Sequence, residues 1–165
     1  MSESYELLDV DKLTVGTVGV PGQRLFLLQA RAGAEVVTLK VEKVQVAALA
    51  SHLGNMLKAL PRPDELPDDL ALEEPAEPEW VVGGLSASYD QALDRLLLIA
   101  EEAVPDDENG AEARFSLTRE QVAALAIHGT RLVEAGRPPC PLCGYPLDQR
   151  GHDCPRTNGH RPPIL

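Results

Sequence analysis

The chemistry-bearing residues gather near the end of the chain, in the spacing Cys140-x2-Cys143-x8-His152-x-Cys154. These are the only cysteines in the sequence. Soft thiolates with an imidazole suit Zn²⁺ in a closed four-coordinate site. Two residues between Cys140 and Cys143 let both sulfurs reach one ion, and Gly144 relieves the backbone where amides bend toward sulfur. Cys140, Cys143 and Cys154 are the expected ligands, with His152 as the fourth. His160, Asp153, Asp148 or water compete for that fourth place. The bland alternatives are three reduced thiols in a proline-rich tail, or a disulfide between Cys140 and Cys143.

The stretch 137–165 has too little apolar mass to fold alone. Zinc binding supplies folding free energy on the order of 10 kcal/mol in small finger peptides, so the expected role of the metal is structural: a zinc knuckle. Arg137, Arg150, Arg156 and Arg161 outnumber Asp148 and Asp153 there. Arg150, Arg156 and Arg161 would serve as an anion, RNA or partner contact, or would dock the knuckle on the protein's own acidic surface. The second use is the favoured one.

Composition limits what the rest does. The chain has 165 residues and a net charge of −11, which argues against a generic nucleic-acid or anionic-membrane binder. Only 4% of residues are aromatic within a 44% hydrophobic total, so Leu, Val and Ala must build the core. No apolar run reaches spanning length, and the start, Met-Ser-Glu-Ser-Tyr-Glu, lacks a signal pattern; the expected location is cytoplasmic.

The elements that would position the metal tract follow a repeated order. Residues 5–20, Gln23 to Ala30 and Glu35 to Val41 read as three strands of an antiparallel meander, with a turn at Pro21-Gly22. A helix from Glu42 carries Val46, Leu49 and Leu53, and Pro61 ends it. Residues 61–79 hold five prolines and eight carboxylates against one arginine, the composition of an extended, solvated linker. Three further strands are expected at Trp80 to Ser88, Ala92 to Val104 (where a helix is the competing reading) and Ala111 to Leu117. Thr118 then caps a second helix.

Gln45-Val46-Ala47-Ala48-Leu49-Ala50-Ser51-His52 matches Gln121-Val122-Ala123-Ala124-Leu125-Ala126-Ile127-His128 except at the seventh position. The expected fold is therefore α+β: an internally duplicated strand-strand-strand-helix unit with antiparallel sheets and two main helices. Its parts are a first half over 1–60, a linker over 61–79, a second half over 80–136 and the zinc-knuckle tail over 137–165. The sequence leaves open whether the six strands make one sheet or two.

Cys140-Pro-Leu-Cys-Gly-Tyr-Pro-Leu-Asp-Gln-Arg-Gly-His-Asp-Cys-Pro-Arg-Thr-Asn-Gly, with Gly16-Thr-Val-Gly-Val-Pro-Gly-Gln-Arg24 and Glu42-Lys-Val-Gln-Val46, resembles the actinobacterial family called domain of unknown function 3090. The resemblance covers nearly the whole chain. It implies a bacterial cytosolic protein, encoded beside a histidine-phosphatase-like enzyme and a lipid-kinase-like protein, with no established activity. It also implies Tyr in many members at the place of His160, which counts against that ligand.

Other sites offer less. His52 and His128 hold equivalent helix positions, as a paired-histidine site or, more simply, as residues at the edge of an apolar stripe. Gly16, Gly19, Gly83 and Gly84 lack the strand-to-helix setting of a phosphate loop and fit bulges or close backbone approach. Gln23 and Arg24 carry no evident chemistry. The reading is a zinc-binding, non-catalytic protein that presents a surface to an unidentified protein partner. The alternative is a zinc-dependent hydrolase or phosphoryl-handling enzyme with water in an open metal position.

Overall fold

Period-two patterning and tight turns build two meanders, each followed by a helix. In the computed structural model, which describes residues 2–20 and 22–135, a short β1 (Tyr5–Leu7) precedes β2 (Lys12–Val18), β3 (Leu25–Ala32), β4 (Glu35–Val41) and α1 (Lys43–Lys58). Then come β5 (Val82–Asp90), β6 (Arg95–Glu102), β7 (Glu112–Leu117) and α2 (Arg119–Ala135). The chain divides into two units, Met1–Thr130 and Arg131–Leu165, and these strands and α1 all lie within the first. The knuckle expected over 137–165 lies outside the described residues.

The strands form two sheets, ordered β2-β3-β4 and β1-β7-β6-β5. In the first, Leu13, Val15, Leu28, Ala30, Val37 and Leu39 share one face and are buried, as alternation along a strand requires. Gly33, at φ 60°, allows the two-residue turn from β3 to β4. In the second sheet Leu96, Leu98, Ala100, Ala113, Phe115 and Leu117 do the same. The stretch 92–104 is thus a strand, its alternate side chains dividing between two faces. The strand expected over 5–20 is two strands: Asp11 turns aside to accept a bond from Gly33 N (2.7 Å), and β1 leaves for the other sheet.

That departure has a counterpart. β1 runs parallel to β7, with Leu7 beside Phe115. Just before β5, Glu79 N donates to Thr38 O (2.7 Å), Lys40 N donates to Trp80 O (3.0 Å), and Val81 bridges Lys40 in parallel. The residues that lead into each meander therefore lie along the last strand of the other.

The helices repeat the exchange. Gln45 and Gln121 are each the third residue of their helix, and each side-chain oxygen accepts from the capping backbone: Glu42 N (2.8 Å) and Thr118 N (2.9 Å). Their amide nitrogens then cross over, from Gln45 to Val82 O (3.1 Å) and from Gln121 to Val10 O (2.6 Å). The helices meet at Gly129, where a Cβ would stand 3.4 Å from Val46 and 3.6 Å from Ala50.

The stretch 61–79 is extended, as expected, and it is also bonded along the outer face of β2-β3-β4. Thr14 Oγ1 donates to Leu70 O (2.6 Å); Gln29 donates to Glu73 O (3.1 Å) and accepts from Glu73 N (2.7 Å). Lys12 Nζ, on a side chain only 9% exposed, lies 3.4 Å from both Asp69 and Glu73. Arg31 Nε stands 3.3 Å from Glu73. Leu72 covers Gly16 so closely that a Cβ there would come within 2.7 Å of it. Glycine at 16 is what lets this strap lie flat.

Candidate functional site

The second sheet has a matching outer face, and it is open. Alternation places Glu6 of β1, Arg114 and Ser116 of β7, Arg95, Leu97 and Ile99 of β6, and Ser86 and Ser88 of β5 on the side away from the core. Leu97 and Ile99 are partly exposed, and Glu6, Ser86, Ser88 and Arg114 are exposed. A concavity of about 560 Å³ lies over them, bounded by Glu6, Leu8, Leu93, Arg95, Leu97 and Arg114 among others. Leu8 and Leu93 at its margin are 66% and 69% exposed.

Its electrostatics follow strand order. The guanidiniums sit on the two central strands, Arg114 on β7 and Arg95 on β6, and the carboxylates Glu6 and Asp90 sit on the outer strands β1 and β5. Arg114 is paired with Glu112 on its own strand, which raises its basicity further, and Arg95 stands 3.9 Å from Asp9. Each has five N–H donors, so one carboxylate leaves several to bind another group.

One end of the face is fixed by a polar knot. Asp94, at φ 51° in the β5–β6 turn, accepts from Tyr89 Oη (2.7 Å) and from Arg119 Nε (3.1 Å) and Nη2 (3.2 Å). Those bonds, Tyr89 first and then Arg119, hold the Asp94 carboxyl below its usual range. Arg119 Nη1 also donates to Pro61 O (2.6 Å), where the strap begins.

His52 and His128 face different strands. His128 Nε2 is 2.9 Å from Val15 O of β2, whereas His52 lines a cleft of about 270 Å³ between α1 and the Gly83–Ser86 stretch of β5. The reading as residues at the edge of an apolar stripe describes them better than a paired site. The glycines behave as bulge and contact positions. Gly83 falls in the register shift between Val82 and Gly84, where a Cβ would meet Ala103 Cα at 2.8 Å. Gly19 adopts φ 98°. Gln23 belongs to the β2–β3 turn, its N donating to Val20 O (3.0 Å).

The residues expected to carry metal chemistry, Cys140, Cys143, His152 and Cys154, and the arginines 150, 156 and 161 lie outside the described residues. Among the described residues no three His, Cys, Asp or Glu side chains gather as a metal site, and no helix is long and apolar enough to cross a membrane.

Comparison with known families places the chain. The model of the family described as "Protein of unknown function (DUF3090)" matches residues 5–154. The chain belongs to this DUF3090 family. The match spans both meanders, both helices and the tract from Cys140 to Cys154. No curated protein matches it.

Sequence reasoning missed the open face of this DUF3090 member, although β6 carried a signal. Leu96-Leu97-Leu98-Ile99-Ala100 is apolar at consecutive positions, and a strand apolar on both sides is built to be covered on both. The helical competitor for the same letters hid that inference.

Proposed function

We propose that this DUF3090 protein is a bacterial cytoplasmic, non-catalytic protein that binds a protein partner, and that its C-terminal tract holds one structural zinc. The observation that carries the reading is the donor set itself. Three thiolates and an imidazole in Cys140-x2-Cys143-x8-His152-x-Cys154 are chemically matched to Zn²⁺ and leave no open position for a substrate. Holding the metal requires deprotonated thiols and a neutral imidazole, so loading weakens as pH falls.

The body fits an internal duplication. The matching stretches 45–52 and 121–128 begin at the two glutamines that make the same pair of bonds, one to their own cap and one to the other meander. Two like modules that exchange their leading segments leave one outer face open, and an open face on a protein with a stapled tail is what a partner-binding protein needs.

The test is metal content of protein purified without added metal, for wild type, Cys143→Ser and His152→Ala. One zinc per chain, lost in Cys143→Ser, supports the staple. Zinc retained in His152→Ala, with a metal-bound water, would replace it by the open-site hydrolase. A wild-type chain without metal would refute the zinc reading.

A further inference from the structure

The open face of β1-β7-β6-β5 has a built counterpart in the same molecule, and the counterpart indicates what covers it. On β2-β3-β4, Leu27 of the central strand pairs across to Gly16 and Lys40; the strap lies over that face and Leu27 is 0% exposed. On the other sheet Leu97 of the central strand pairs to Ser88 and Ser116 in the same arrangement and is partly exposed. The strap holds its face by three means: carboxylates on Lys12 and Arg31, main-chain bonds to Thr14 and Gln29, and one leucine against the sheet. The open face offers the same three kinds of group in Arg95 and Arg114, in Ser86, Ser88 and Ser116, and in Leu97 with Ile99.

We propose that this face docks an extended segment of a partner protein with the pattern acid-x-leucine-x-acid, laid along β6 and β7. Arg114 pairs with Ile99, four residues along β6 from Arg95, a separation of about 13 Å along the strand. In an extended segment, side chains at i, i+2 and i+4 point the same way and the outer two are also about 13 Å apart. Two carboxylates then reach the two guanidiniums while the leucine between them covers Leu97. Glu6 and Asp90 on the outer strands repel carboxylates placed off centre, which sets the register. The serine hydroxyls, donors and acceptors alike, meet the segment's main chain as Thr14 meets Leu70.

This inference rests on the partner-binding reading but not on the zinc. The probe is a labelled peptide, Thr-Glu-Val-Leu-Val-Glu-Thr, titrated against the full zinc-loaded chain by fluorescence anisotropy, with a scrambled peptide of equal composition. Saturable binding to the ordered peptide is expected, weakened about tenfold or more by Arg114→Glu and by Leu97→Asp. A charge change of similar size on α1, Lys58→Glu, is expected to leave it unchanged. A peptide with lysine in place of both glutamates should regain binding to the Arg95→Glu, Arg114→Glu chain, which excludes misfolding as the cause of the loss. Absence of saturable binding, or binding indifferent to Arg114→Glu and Leu97→Asp, overturns the proposal. So does sedimentation showing a dimer of the free chain that Leu97→Asp dissociates, because the occupant would then be a second copy. A chain without zinc that still binds the peptide would refute the metal reading and leave this one standing.

Discussion

Leu27 and Leu97 stand at matching places in two similar meanders, on the face turned away from the core, yet one is sealed and the other partly open. The sealed face is polar at its floor: Thr14, Gln29 and Thr38 are all buried, and Gln29 Nε2 donates to Thr38 Oγ1 (3.0 Å) as well as to the strap. Buried polar groups are tolerated only when they are bonded, so this floor demands a fixed cover. The open face instead carries hydroxyls, guanidiniums and half-buried aliphatic groups, which water can serve. A surface that must be covered for folding has its cover in the same chain; a surface that folding leaves usable does not.

The largest expected effect breaks that comparison directly. Leu27→Ala should cost about 2–5 kcal/mol, the range for a buried leucine, and Leu97→Ala about 1 kcal/mol or less, since less of its surface leaves water on folding. Urea unfolding of both variants measures the difference. Equal losses would mean that the two faces are covered alike in solution.

A smaller effect isolates the cover. Gly16→Ala forces a methyl group to within 2.7 Å of Leu72 unless the strap shifts, and should cost about 1–3 kcal/mol as overpacking. Leu72→Ala makes room for that methyl, so the double variant should be more stable than the sum of the two losses predicts. The double-mutant cycle yields the coupling. Strict additivity would show that Leu72 does not rest on Gly16.

How much of this was legible in the letters depends on how local its cause is. Both helices were, because Val46, Leu49 and Leu53, like Val122 and Leu125, keep helical spacing and a glutamine stands at the third position of each. The meanders were legible from alternation and from turn residues such as Gly33. The exchange of β1 was hidden, because three residues pairing with a strand more than a hundred positions away leave no periodic trace. The strap was read as extended but its attachment was not, because proline and acid report only on the segment. Its partners Lys12, Thr14, Gln29 and Arg31 look like an ordinary solvent face until the strap is seen on them. Of the candidate sites, the metal tract is entirely a matter of spacing and donor type; the open face needed the three-dimensional contrast with its neighbour.

The smallest expected effect concerns the knot that ties the two faces together. Arg119 holds both Asp94, in the β5–β6 turn beside the open face, and Pro61 O, where the strap starts. Asp94→Asn keeps an oxygen to accept from Tyr89 and tolerates φ 51°, so it removes chiefly the charge. The folded-state carboxyl is depressed by Tyr89 and Arg119. Its contribution to stability is therefore fully present above the ordinary carboxylate range, about pH 4, and is lost as pH falls through the depressed value. The stability gap between wild type and Asp94→Asn should be constant at neutral pH and close as acid protonates the wild-type group. Exposure of the site keeps the gap small, and added salt should shrink it further. A gap that persists unchanged into acid would mean that geometry in the turn, and not the ion pair with Arg119, is what Asp94 provides.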